Sequence, residues 1–163
     1  MVRLFVPFLI AIQGHGGHEV ADLALSTLPG LVTNALDQAS ATSVGRLIPN
    51  DVSRILSEQI VAFDAKIASD IKDLFPSDLS AIENMHPNEI SAIINDSDIE
   101  GSNHAKIVRG MRGSTALLAL VDKWRENLWI ANLGDCQAGG ILYELHPFQN
   151  DLCWVFFLDS PGY

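Results

Sequence analysis

The sequence predicts an α+β fold, and three observations carry that expectation. Two long stretches repeat apolar residues at helical spacing, first at Val20, Leu23, Ala24, Leu28 and Leu31, then from Val52 to Leu74. A cluster of short β-rich runs follows at Ser114–Val121, Leu128–Leu133 and Gln137–Leu142, divided by turn residues. A further apolar run, Leu4–Ile12, precedes the first helix and ends in glycines, as a buried strand does.

Taken in order, the first strand spans about residues 4–12. Pro7 removes a ladder donor there and points to an edge position or a bulge. Gly14-His15-Gly16-Gly17 forms a tight turn, and a helix follows over about 18–40, with Pro29-Gly30 as the place where it would kink or end. Asp51 is the expected N-cap of a second helix over about 51–75. Its stripe is Val52, Ile55, Leu56, Ile60, Phe63, Ile67, Ile71 and Leu74, and Phe75-Pro76 closes it.

Residues 77–112 read as polar and mixed, with loop signals at Asn95–Asp98 and Glu100–Asn103 and a short helical piece near Ser91–Ile94. The three later strands, 114–121, 128–133 and 137–142, are expected to form an antiparallel meander. Asp122–Asn127 turns between the first two, and Gly134-Asp135-Cys136 between the last two. Residues 143–163 differ in character, crowding Trp154, Phe156, Phe157 and Leu158 together. They read either as a final strand or as sequence foreign to the domain.

Composition narrows the function classes. The chain has 163 residues, enough for one domain, and 48% of them are hydrophobic, so a substantial core is available. Lys and Arg total 10 against 20 for Asp and Glu, a net charge of −10, which argues against a nucleic-acid or anionic-membrane partner. No segment approaches the ~20 consecutive apolar residues of a membrane helix. Met1–Ile12 has neither a small-x-small cleavage site nor the Arg/Ser-rich character of a transit peptide. Cys136 and Cys153 sit in no CxxC pair, so an intracellular, reducing compartment is expected.

Candidate chemistry gathers at glycine-rich turns. Gln13-Gly14-His15-Gly16-Gly17-His18-Glu19 lies where a strand gives way to a helix, a common place for ligand sites. Read alone, it is equally an ordinary turn. His15 and His18 raise a zinc reading, but their spacing is not that of HExxH and no third ligand stands out. Gly113-Ser114-Thr115-Ala116 and Ile130–Ala138, the latter containing Asn132-Leu133-Gly134-Asp135, read alone as a strand start and a hairpin turn.

Together and in this order, these segments resemble the metal-dependent protein phosphatase family (PPM, type 2C). That family carries a strand ending Asp-Gly-His-Gly-Gly, then a helix, then Gly-Ser-Thr-Ala opening a strand, then a Val-Ala-Asn-x-Gly-Asp-Ser-Arg-Ala hairpin. The resemblance covers residues 4–142, and its wording is similar to the pyruvate dehydrogenase phosphatase branch. It implies a partial α-β-β-α sandwich of antiparallel sheets flanked by helices, with a partial phosphatase domain over 1–142 and an atypical tail over 143–163. It further implies magnesium or manganese as cofactor and a phosphoserine or phosphothreonine protein as partner. Metal-activated water would attack the phosphoryl group. Gly14 would offer its carbonyl to a metal, His15 would act as general acid, and Asp135 would help bind a weaker metal.

The departures are as informative. Gln13 stands where the family has its bridging aspartate, and a neutral amide cannot bridge two dications. The family's upstream phosphate-binding arginine and acidic pair, and its later metal-binding aspartates, have no counterpart in these residues. The reading is therefore a truncated phosphatase domain without hydrolytic activity. The alternatives are a non-catalytic pseudophosphatase that binds a phosphoprotein, or the product of an incorrect gene model. An unpaired sheet edge is expected to promote self-association. Mitochondrial and cytoplasmic locations both remain open.

Overall fold

The computed structural model describes residues 5–43, 46–96, 103–146 and 149–159. The chain divides into two units, one of Met1–Gln13 with Thr115–Tyr163 and one of Gly14–Ser114. The fold is α+β, with the antiparallel pairing in the first unit and the helices in the second.

In the helical unit, α1 (Glu19–Thr42) follows the glycine turn. Val20, Ala24, Leu28, Val32 and Leu36, four residues apart, are all buried and form one continuous stripe. The helix does not end at Pro29 but runs on to Thr42. An interior proline costs ~3 kcal/mol. Burying each of Leu28, Val32 and Leu36 returns ~1.5–3 kcal/mol. Carrying the helix past Pro29 keeps two of these, so continuation wins. The Thr33 hydroxyl also donates to the Pro29 carbonyl at 2.7 Å.

Helix α2 (Pro49–Lys72) starts earlier than expected. Its N-cap is Ile48 rather than Asp51, because Pro49 at the first helical position has no N–H to leave unsatisfied. Asp51 instead sits in the first turn, where its charge favours the helix dipole. Val52, Ile55, Leu56 and Phe63 are its buried residues.

The polar stretch after α2 is more ordered than its composition suggests. It holds α3 (Leu79–Glu83), α4 (Pro87–Asn95) and α5 (Asn103–Met111), where only a short piece near Ser91–Ile94 is expected. Capping explains part of this. The Asp78 carboxylate accepts from Ser80 N–H at 3.2 Å. At α4 a capping box forms: Asn88 N–H donates to His86 Nδ1 at 3.2 Å, and His86 N–H donates to Glu89 Oε2 at 3.0 Å. Residues 97–102, which carry most of the expected loop signals, lie outside the described residues. Helix α5 packs on α1, α2 and α4, and α1 packs on α2.

In the other unit, β1 (Phe5–His15), β2 (Gly113–Asp122) and β3 (Leu128–Leu133) form a sheet in the order β1-β2-β3. Strand β1 is thus an outer strand, the place where Pro7 is tolerated. Strand β2 is central, and Ala116–Leu120 are all buried. It pairs antiparallel with β3 from Ala116↔Leu133 to Val121↔Leu128. The hairpin is closed by Asp122, only 2% exposed, whose carboxylate accepts from Glu126 N–H and Asn127 Nδ2, each at 2.8 Å. Its charge sits among donors, which is how a buried carboxylate is tolerated.

The expected three-strand meander stops at β3. Strand β4 (Gln137–His146) pairs with β5 (Gln149–Asp159) in a separate two-stranded sheet. The pairing runs antiparallel from Gln137↔Asp159 to Glu144↔Leu152, so residues 149–159 of the tail form a strand. The link Gly134-Asp135-Cys136 does not fold β4 back along β3. Asn132 Nδ2 donates to the Cys136 carbonyl at 2.9 Å, and Cys136 Sγ donates to Thr115 Oγ1 at 3.1 Å. These bonds hold the link against the start of β2.

Candidate functional site

The first motif straddles the strand-to-helix junction. Gln13 is half-buried near the end of β1, and His15, its last residue, is exposed. The turn after it is tight. A Cβ added to Gly14 would lie 2.0 Å from the Gly17 carbonyl oxygen, so no larger residue fits without opening the turn. His18 then occupies the N-cap of α1 without a side-chain cap bond. Its Nδ1 instead contacts Asp22 Oδ2 at 2.7 Å, one helical turn on. The hydrogen bond and charge of Asp22, with Glu19 adding to them, raise the His18 pKa above its ordinary 6.5.

Arg112, just after α5, lies over the same turn. A Cβ on Gly17 would come within 3.0 Å of its guanidinium carbon. Arg112 Nε is 3.9 Å from Glu19 Oε2. Beside this turn, a shallow groove of about 280 Å³ runs between α1 and α5, lined by His18, Glu19, Asp22, Leu23, Ser26, Ala105 and Arg109. It carries charge of both signs and no buried catalytic pair.

The second and third motifs meet. Gly134 adopts φ +91, and a Cβ there would sit 2.6 Å from Thr115 Cγ2. With the bond from Cys136 to Thr115, residues some 20 positions apart in sequence form one packed corner at the end of the β2–β3 ladder. At the other side of β2, His15 lies beside Gly113, with its Cβ 3.6 Å from where a Gly113 Cβ would be. The last residue of β1 is thus next to the first residue of β2.

Comparison of the chain with protein-family models, curated proteins and solved structures finds no match. Any functional reading therefore rests on the residues themselves.

Of the four candidate residues, Gly14 and His15 belong to the helical unit, and Gln13 and Asp135 to the other. Asp135 is exposed in the link after β3. Among the described residues, no three His, Cys, Asp or Glu side chains gather where they could hold a metal ion. The implied donor set is a neutral Gln13 amide, a Gly14 carbonyl and one exposed Asp135 carboxylate. Magnesium dehydrates reluctantly and dinuclear sites need bridging anions, so these residues do not fit a two-metal centre. His15 and His18, the pair behind the zinc reading, are both exposed and have no third ligand with them among the described residues.

Sequence reasoning did not single out Arg112 or the Thr115–Cys136 bond. It did not single out the His18–Asp22 pair either, although an i, i+4 spacing at a helix start was a signal for it. Arg112 gave no such signal, since nothing in its spacing ties it to residues 16–19.

Proposed function

We propose that this chain is a PPM-type protein phosphatase relative that does not hydrolyse phosphoesters. The observation that carries the reading is the packed corner of Thr115, Gly134 and Cys136. Two segments singled out for their family wording pack against each other, and that wording suits the corner: a glycine at positive φ and a small β-branched residue facing it. The neighbouring ends of β1 and β2, which carry the first and second motifs, add to the same reading.

The chemistry points the other way for catalysis. A phosphatase of this type needs anionic oxygens to bring two dications close and to activate water. Gln13 contributes none, and Asp135 alone cannot replace the set. A phosphoserine or phosphothreonine protein remains the partner class that the resemblance implies, bound without turnover.

The test is hydrolysis of an aryl phosphate by the purified 163-residue chain with manganese added. Background rates are expected, both for the chain and for its Gln13→Asp variant, because one restored carboxylate does not complete the ligand set. Robust manganese-dependent turnover that His15→Ala abolishes would overturn the proposal.

A further inference from the structure

Helix α4 begins on a histidine. His86 is its N-cap, and Pro87, at the first helical position, has no N–H to satisfy. Glu89 N–H and Ile90 N–H both donate to the His86 carbonyl, at 2.9 and 3.2 Å. Asn88 N–H is left, and its bond runs to His86 Nδ1 at 3.2 Å. A ring nitrogen accepts only through a free lone pair, so this bond requires a neutral imidazole that carries its proton on Nε2. The usual N-cap residues accept through oxygen and carry no such condition near neutral pH. Glu89 Oε2 completes the box by accepting from His86 N–H at 3.0 Å. The helix depends on this end. It has 9 residues and none of them is buried, so little packing holds its first turn.

We propose that His86 is a pH-sensitive cap: the first turn of α4 is closed while the ring is neutral and opens when the ring takes a proton. Protonation acts twice. It places an N–H on Nδ1, which turns the acceptor into a second donor facing Asn88 N–H. It also sets a cation at the positive end of the helix dipole, the unfavourable sign there. One charge opposes this. Glu89 lies on the same turn and attracts an imidazolium, but both side chains are exposed and solvent screens the pair. The preceding helix, α3, ends on Glu83, and α5 packs on α4 with His104, Lys106 and Arg109 in its sequence. Among the described residues, none of these four side chains bonds to His86 or Glu89. The cap is therefore present at the higher pH and lost as pH falls.

Hydrogen exchange of the full chain, followed amide by amide by NMR at about pH 8 and about pH 5, tests this across the ordinary histidine range. Protection of Asn88, Glu89 and Ile90, corrected for intrinsic exchange, should fall about fivefold at the lower pH, the loss of one cap. The fall should track the titration of the His86 ring, read from its own carbon-bound protons. His86→Ser, whose hydroxyl caps at both pH values, should hold protection level, and His86→Ala should show the acid level at both. Glu89→Gln keeps an acceptor for His86 N–H and removes the attracting charge, so its fall should be at least as large. Ile55 and Phe63, buried in α2, should keep their protection. Equal protection of Asn88 on both sides of the ring's titration overturns the proposal. So does a fall that His86→Ser retains, or one that Ile55 and Phe63 share equally, which would be general acid unfolding.

Discussion

Replacing Gly134 with alanine tests the corner on which the functional reading rests. Two costs add there. The first is backbone strain: a φ of +91 is open to glycine but costs an L-residue ~1–3 kcal/mol. The second is overlap. The new Cβ would sit 2.6 Å from Thr115 Cγ2 and 3.0 Å from Thr115 Cβ. Thr115 cannot simply turn away, since it is β-branched and stiff at χ1, and its Oγ1 accepts from Cys136 Sγ at 3.1 Å. Overpacking of this kind costs ~1–3 kcal/mol. A combined loss of about 3 kcal/mol lowers the melting temperature by roughly 6–12 °C in a chain of this size. The chain's 3 tryptophans, Trp124, Trp129 and Trp154, all lie in the unit that holds Gly134, so fluorescence follows its unfolding. Adding Thr115→Ser removes the offending methyl and should recover about 1–2 kcal/mol of the overlap term while leaving the strain. A Gly134→Ala melt within a degree or so of wild type would refute the account. Full recovery in the double variant would refute the strain half of it.

Two further outcomes follow from the helical unit. Gly30→Ala, inside α1 with nothing within 4 Å of the added Cβ, should stabilise the chain by ~0.5–1 kcal/mol, read as a higher melting temperature by far-ultraviolet circular dichroism. A fall would mean that the backbone beside Pro29 is not ordinary helix. His18 should titrate above 6.5 by NMR, and Asp22→Asn should bring it down. A folded-state pKa raised above the unfolded value means that the contribution of the pair is full below the unfolded pKa and fades as pH rises through the folded one. Both groups are exposed, so salt should weaken the shift, and a His18 pKa indifferent to Asp22→Asn would sink the assignment.

How much of this was legible in the sequence depends on whether the deciding force was local. The α1 and α2 stripes were legible because burial at every third or fourth residue is written in the chain itself. The β2–β3 hairpin was legible because two apolar runs are divided by the polar turn Asp122–Asn127, although Ala116–Leu120 are buried continuously and not at period two. The start of α2 was misplaced because a capping rule for Asp51 competed with the fit of Pro49 to the first turn, and proline prevailed. Helices α3 and α5 were missed because their segment looks polar on average and each is short, 5 and 9 residues; α3 rests on its cap and α5 packs on its neighbours. The break between β3 and β4 was not legible at all. Beside it a hydrogen bond runs from Cys136 back to Thr115, 21 positions away, a contact that no window of sequence contains.

The candidate site divides along the same line. Gly14 is explained by the Gly17 carbonyl that closes on it, Gly134 by its φ and by Thr115, and Thr115 by the two residues packed against it. Each would be required by the packing whether or not the chain ever met a phosphate. Gln13 differs in kind. It is half-buried near the end of β1, and no described contact of the turn requires glutamine there. Of the two side-chain positions that the resemblance would give to metal binding, Asp135 keeps its carboxylate and position 13 has glutamine instead. On the reading proposed above, a change at position 13 removes chemistry without touching the corner, whereas a change at Gly134 disturbs the corner directly. On that same reading the glycines and small strand residues serve packing, and Gln13 is the residue that bears on hydrolysis.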